Sequence, residues 1–124
     1  MTPHNLFLSL FRNQETTDFA AGAFVVKAGE PGETMYIVAE GEVEILDGSA
    51  ILETAGAGSI VGELALIDDE PRSATVVAKT DCRLVPVDRR RFQYMVQETP
   101  FFALAVMKVL ADRLRKKNVK TRSS

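Results

Sequence analysis

Between two runs rich in β-branched residues the chain carries Gly62-Glu63-Leu64-Ala65-Leu66-Ile67-Asp68-Asp69-Glu70-Pro71-Arg72-Ser73-Ala74. A short helical turn that opens straight after a glycine presents free backbone N–H groups and the positive end of its dipole, which favours a bound anion. Gly62 has no side chain to block close approach. Arg72 is permanently charged, and its planar fork of donors matches two phosphate oxygens. Glu63 would repel a phosphate, but its carboxylate is a good acceptor for the vicinal hydroxyl of a ribose. One pocket built from these residues can hold both ends of a nucleotide. Taken singly, each has a plainer role: Arg72 can pair with Asp68 or Asp69 on a surface turn, and Glu63 can be an acid at a helix start.

The ordered set Gly62-Glu63-Leu64-Ala65-Leu66 and Pro71-Arg72-Ser73-Ala74 resembles the phosphate-binding cassette of the cyclic nucleotide-binding domain family. Upstream, Lys27-Ala28-Gly29-Glu30-Pro31-Gly32-Glu33-Thr34-Met35-Tyr36-Ile37-Val38-Ala39-Glu40-Gly41-Glu42-Val43 is similar to the family's first strand pair with its turn glycines. The similarity runs from about Gly22 to about Lys117. It implies that Glu63 takes the ribose 2′-hydroxyl, Arg72 the equatorial oxygens of the cyclic phosphate, and Ser73 a phosphate oxygen or the base. Gly62 and the amides of Leu64 and Ala65 complete the cradle, and Ala74 closes the motif. Alignment on Thr99-Pro100 brings Lys117 and Asn118 to the level of the purine, with Leu114 covering it. Two departures from the pattern stand out: Val61 stands where many members carry an aromatic, and Asp68-Asp69-Glu70 sets three acids beside an anion site.

The elements that must position these residues follow from periodicity. Residues 5–21 place Leu6, Phe7, Leu10, Phe11 and Phe19 at near-helical spacing, which predicts a helical lead-in. From Phe24 to Val87 the pattern is β, in short runs at 24–26, 34–38, 43–46, 51–53, 59–61, 74–77 and 84–87, with Asp47-Gly48 as the strongest hairpin turn. Many short strands at regular spacing predict a jelly-roll-like architecture. Asp88 is an N-cap for a helix over 89–97, and Thr99-Pro100 starts a second helix. That last helix carries an apolar stripe of Ala103, Met107, Leu110 and Leu114 that needs a partner surface.

Composition narrows the function classes. At 124 residues the chain is of single-domain length, and such domains bury roughly two-thirds of their unfolded surface. Residues 1–111 carry nine Lys/Arg against sixteen Asp/Glu, and residues 112–124 carry six against one. An acidic body is a poor general surface for nucleic acid, and the basic tail reads as a solvated helix end. Cys82 is the only cysteine, which excludes an intrachain disulfide. One histidine, His4, outside the β region, excludes cupin-type metal clusters and Ser-His-Asp or Cys-His sets. No Gly-Lys-Ser/Thr follows the glycines, so there is no Walker loop. Leu6-Phe7-Leu8-Ser9-Leu10-Phe11 is too short for a membrane span, and the start has no basic n-region, which predicts a cytoplasmic protein.

The expectation is therefore a single domain over 1–124, mainly β with flanking helices. It comprises a helical lead-in (5–21), an antiparallel jelly-roll-like β roll (22–87) with its cassette at 61–74, a helix (88–98) and a C-terminal lid helix (99–118). It is a non-enzymatic sensor, without a metal, that binds a 3′,5′-cyclic nucleotide. In the resembled family a serine after the cassette arginine accompanies cAMP and a threonine often accompanies cGMP, so Ser73 favours cAMP. The partners expected are an effector protein and a second copy paired through the C-terminal helix, with no direct DNA contact. The alternatives are a docking module of the same fold without ligand control, or the sensor of a transcription regulator separated from its DNA-binding domain.

Overall fold

The computed structural model describes residues 3–11 and 13–123. In chain order the elements are α1 (Pro3–Phe11), β1 (Thr17–Phe19), β2 (Phe24–Val26), β3 (Thr34–Glu40), β4 (Val43–Asp47), β5 (Ala50–Ala55), β6 (Ile60–Val61), α2 (Leu64–Ile67), β7 (Thr75–Ala78), β8 (Cys82–Asp88), α3 (Arg89–Glu98) and α4 (Pro100–Ser123). The strands form two antiparallel four-stranded sheets, ordered β1-β8-β3-β6 and β2-β7-β4-β5. This is the expected β roll with flanking helices.

Strand alternation builds two cores from one sheet. On β3, Met35 and Ile37 point to the helices while Val38 points to the facing sheet, and all three are fully buried. On β8, Val85 and Val87 join the helical side and Cys82 and Leu84 the inter-sheet side. The inter-sheet core adds Val26, Val43, Ala55, Val61, Val76 and Ala78. Phe102 of α4 centres the helical core, with ring centroids 5.9 Å from Phe7, 5.9 Å from Phe11 and 5.5 Å from Phe92. Cys82 is buried, its Sγ 3.1 Å from the carbonyl oxygens of Glu42 and Thr80, as befits a small core residue.

Four expectations change in detail. The helical lead-in ends at Phe11, and Thr17–Phe19 is instead an edge strand whose three residues pair with β8. The free edge of β8 wins over a weak helical period there. The hairpin loop is Gly48-Ser49 rather than Asp47-Gly48: Asp47 pairs with Ala50, and a bulge after Ile45 shifts the register. Gly48 supplies the positive φ of 61°. Helix α4 extends past 118 to Ser123. Its buried face is Phe102, Ala105 and Val106 with Val109 and Leu110 partly buried, whereas Met107 and Leu114 of the expected stripe are exposed. The three-ring contact of Phe102 fixes the rotation of the helix.

Asp88 caps α3 as expected, its Oδ1 accepting from the Arg91 N–H at 2.8 Å. Thr99 ends α3 through its own N–H to the Met95 carbonyl, and the Phe102 N–H then bonds the Thr99 carbonyl as α4 begins. Helices α3 and α4 are thus separate rods joined at one residue.

Candidate functional site

Gly62 turns the chain between β6 and α2 with φ of 78°, a conformation costly for any side chain. Glu63 follows in helical geometry, and no side chain caps the turn over Leu64–Ile67. Across from it, the backbone of Arg72 is pinned: its N–H donates to the Glu30 carbonyl at 2.9 Å, and its carbonyl accepts from the Gly29 N–H at 2.8 Å. The guanidinium then reaches inward, Nη1 donating to the Gly62 carbonyl at 2.9 Å and Nη2 to the Thr34 carbonyl at 2.7 Å. A Cβ on Gly32 would collide with this guanidinium, and one on Gly62 would stand 2.7 Å from Nη1. The two glycines make a slot for the arginine. These bonds use two of its five N–H groups and leave donors for an anion. Burial pulls the pKa of Arg72 below the ordinary guanidinium value, with the Tyr36 hydroxyl and the Glu63 charge acting the other way.

Glu63 is 4% exposed, and its Oε1 accepts from Arg113 Nη1 of α4 at 2.7 Å. Arg113 also holds Glu53 of β5, Nε to Oε1 at 3.0 Å and Nη2 to Oε2 at 3.3 Å, and donates from Nη2 to the Ile60 carbonyl at 2.7 Å. Burial works to lower the pKa of Arg113, but the charge of Glu63, then the hydrogen bond and charge of Glu53, outweigh it and raise the value. The guanidinium is thus locked in its charged form.

These groups line one cavity of about 1040 Å3. Its floor carries Gly62, Glu63, Leu64, Ala65, Arg72, Ser73 and Ala74, its apolar wall Val26, Ile45, Leu52 and Val76, and its roof Leu110, Arg113, Leu114, Lys116 and Lys117 of α4. Every expected site residue from Gly62 to Ala74 is therefore gathered, with Lys117 at the rim. The side chain of Asn118 lies outside the described residues. The acidic run stays off the cavity: Asp69, at φ of 59°, pairs with Arg89 at 2.7 Å, and the Glu70 N–H bonds Asp68 Oδ1. Arg89 also donates to the Ala65 and Leu66 carbonyls, which ties α2 to the start of α3. Arg72 has no bond to Asp68 or Asp69.

Arg113 and Glu53 are the residues that sequence reading misses. Arg113 reads as one member of a solvated basic tail, yet its side chain is 21% exposed and that of Glu53 23%. The signal was available as spacing: Leu110, Arg113, Leu114 and Lys117 recur at i, i+3, i+4 and i+7, one face of a helix. Among the described residues no group of three or more His, Cys, Asp or Glu is placed to hold a metal ion, and no helix is long and apolar enough to cross a membrane.

Comparison with known proteins bears on the family and the fold. Residues 16–99 match the family model described as the cyclic nucleotide-binding domain. Over 115 residues, 89% of this chain and 51% of the relative, the sequence is 32% identical to a CRP-like cAMP-activated global transcriptional regulator of Mycobacterium tuberculosis. Over 77 residues, 62% of this chain and 10% of the relative, it is 42% identical to the cGMP-dependent protein kinase egl-4 of Caenorhabditis elegans. The chain thus spans about half of one relative and a tenth of the other. Among solved structures, the catabolite activator protein of Thermus thermophilus superposes with a TM-score of 0.79 at 26% identity, covering 97% of this chain and 57% of that one.

Proposed function

The chain belongs to the cyclic nucleotide-binding domain family, and on that premise we propose that its cavity binds a 3′,5′-cyclic nucleotide, cAMP in preference to cGMP, as a regulatory module rather than an enzyme. The carrying observation is the placement of Arg72 and Glu63 on one floor, nine residues apart in sequence, with the carbonyl of Gly62, just before Glu63, accepting from Arg72. The cyclic phosphate sits against Arg72 and the amides of Leu64 and Ala65, and the ribose reaches Glu63. The purine lies along Val26, Ile45 and Val76 beneath Leu110 and Leu114 of α4. Ser73 supports the preference for cAMP through the family likeness alone.

Helix α4 carries the response. A ligand at Glu63 meets Arg113, so occupancy changes the contacts that hold the helix, which is the differential interaction any ligand-driven shift requires. A cytoplasmic location, an effector protein that reads α4, and pairing with a second copy complete the proposal. The exposed Phe101, Leu104, Met107 and Leu114 of α4 support that pairing.

Calorimetry with cAMP, cGMP and other cyclic nucleotides tests the reading, with Arg72→Ala as the site variant. Losing one partner of a desolvated charge pair costs on the order of 2–5 kcal/mol, so Arg72→Ala should weaken binding roughly 30-fold to several thousand-fold. Parent-like affinity in a folded variant refutes the site. A second reading, a docking module without ligand control, is favoured by one observation: Glu63 and Arg72 already have protein partners. Absence of heat with every nucleotide in the panel selects it.

A further inference from the structure

Arg113 divides its donors unequally between two carboxylates. Nε and Nη2 lie flat against both oxygens of Glu53, and Nη2 also reaches the Ile60 carbonyl, so all three N–H groups on that side are used. Only Nη1 faces Glu63, with one N–H bonded to Oε1 and one remaining. Two parallel bonds fix the plane of a guanidinium as one bond cannot. Glu53 stands on β5, the edge of the second sheet, on the same face as buried Ala55, whereas Glu63 follows β6 at the edge of the first sheet. Since neither partner of the Glu53–Arg113 pair is more than a quarter exposed, solvent screens it less than a surface pair.

We infer that Glu53 is the positioning residue of the nucleotide site, holding Arg113 by its far edge so that a single N–H engages Glu63 and the carboxylate keeps an oxygen for the ligand. This rests on reading the cavity as a cyclic nucleotide site. Without Glu53 the guanidinium is free to rotate and take both oxygens of Glu63 in the same bidentate manner. The protein would then occupy the acceptor that a ribose hydroxyl needs, and α4 would lose its tie to β5. Arg72 and the phosphate end are untouched by this change. The ribose end of the ligand thus feels the loss of Glu53 most.

The test compares the parent, Glu53→Gln and the control Thr54→Ala, an exposed neighbour on the opposite face of β5, by calorimetry with cAMP and 2′-deoxy-cAMP. Amide exchange of residues 110–117 in the ligand-free proteins is the second readout. Glu53→Gln should weaken cAMP roughly tenfold or more beyond any loss for 2′-deoxy-cAMP, the scale of one charged hydrogen bond, and speed exchange in the free protein. Thr54→Ala should match the parent in all three. Parent-like exchange with a parent-like ribo/deoxy ratio in Glu53→Gln overturns the inference, as does an equal loss for both ligands. A parent that binds neither ligand overturns the nucleotide reading and the positioning role together. It is told apart from the other failures because those are read against a parent that binds.

Discussion

Glu63 is a buried carboxylate with a charged partner on one oxygen, and that environment decides what it can contribute. A ribose 2′-hydroxyl bonds a charged acceptor, an interaction of about 1.5–3 kcal/mol. cAMP should therefore bind more tightly than 2′-deoxy-cAMP by that amount, and Glu63→Gln should narrow the gap because a neutral amide oxygen is the weaker acceptor. Calorimetric titration of both ligands against both proteins checks this. Equal affinities in the parent would leave Glu63 as only a structural counter-charge to Arg113. At this scale the cassette was readable in sequence because its chemistry is local, Gly62, Glu63 and Arg72 falling within one loop. Arg113 was not, because what makes it a site residue is a carboxylate fifty positions away that only the fold brings near.

At the scale of elements, α4 is positioned by aromatic packing at its start and by ion pairing at its middle. Phe102 is fully buried against Phe7, Phe11 and Phe92, each from a different part of α1 or α3. Its truncation leaves a cavity that three rings cannot readily collapse. Phe102→Ala should cost about 3–5 kcal/mol of unfolding free energy, read as a lower midpoint in urea. A loss below about 1 kcal/mol would mean that α4 is dispensable to the core. The strands were legible because β3 and β8 are short apolar runs rich in β-branched residues, and Gly32 and Gly41 flank β3. β1 was not, since three residues carry no usable period and its existence depends on the edge of β8. The phase of α4 was misjudged for a related reason. Its sequence is apolar on more than one face, with Phe101, Leu104 and Met107 exposed beside the buried Phe102, Ala105 and Val106, and only contact with α1 and α3 selects between them.

For the molecule as a whole, the cavity lies between parts that would otherwise be joined weakly. Its floor belongs to the loop after β6, its wall to the second sheet and its roof to α4. A ligand that touches all three is bound by the folded state alone, so it stabilises by mass action. At a free concentration a hundred times its dissociation constant the gain is about 2.7 kcal/mol. For a chain of this length that corresponds to a rise in melting temperature of roughly 5–15 °C. A thermal melt with and without cAMP measures it. A rise seen equally in Arg72→Ala would show that the nucleotide stabilises from somewhere else.

The slot formed by Gly32 and Gly62 around Arg72 has a consequence for how this sequence can change. Gly32 lacks a positive φ, so only the guanidinium, and no backbone strain, forbids a side chain there. In a library selected first for folding and then for nucleotide capture, Gly32→Ala should be depleted on the parent background. It should return among folded clones once Arg72 is shortened to lysine. Gly62, held at φ of 78°, should stay intolerant on either background. The same substitution would thus be harmful or harmless according to a residue forty positions away, a pairwise epistasis written by a missing methyl group.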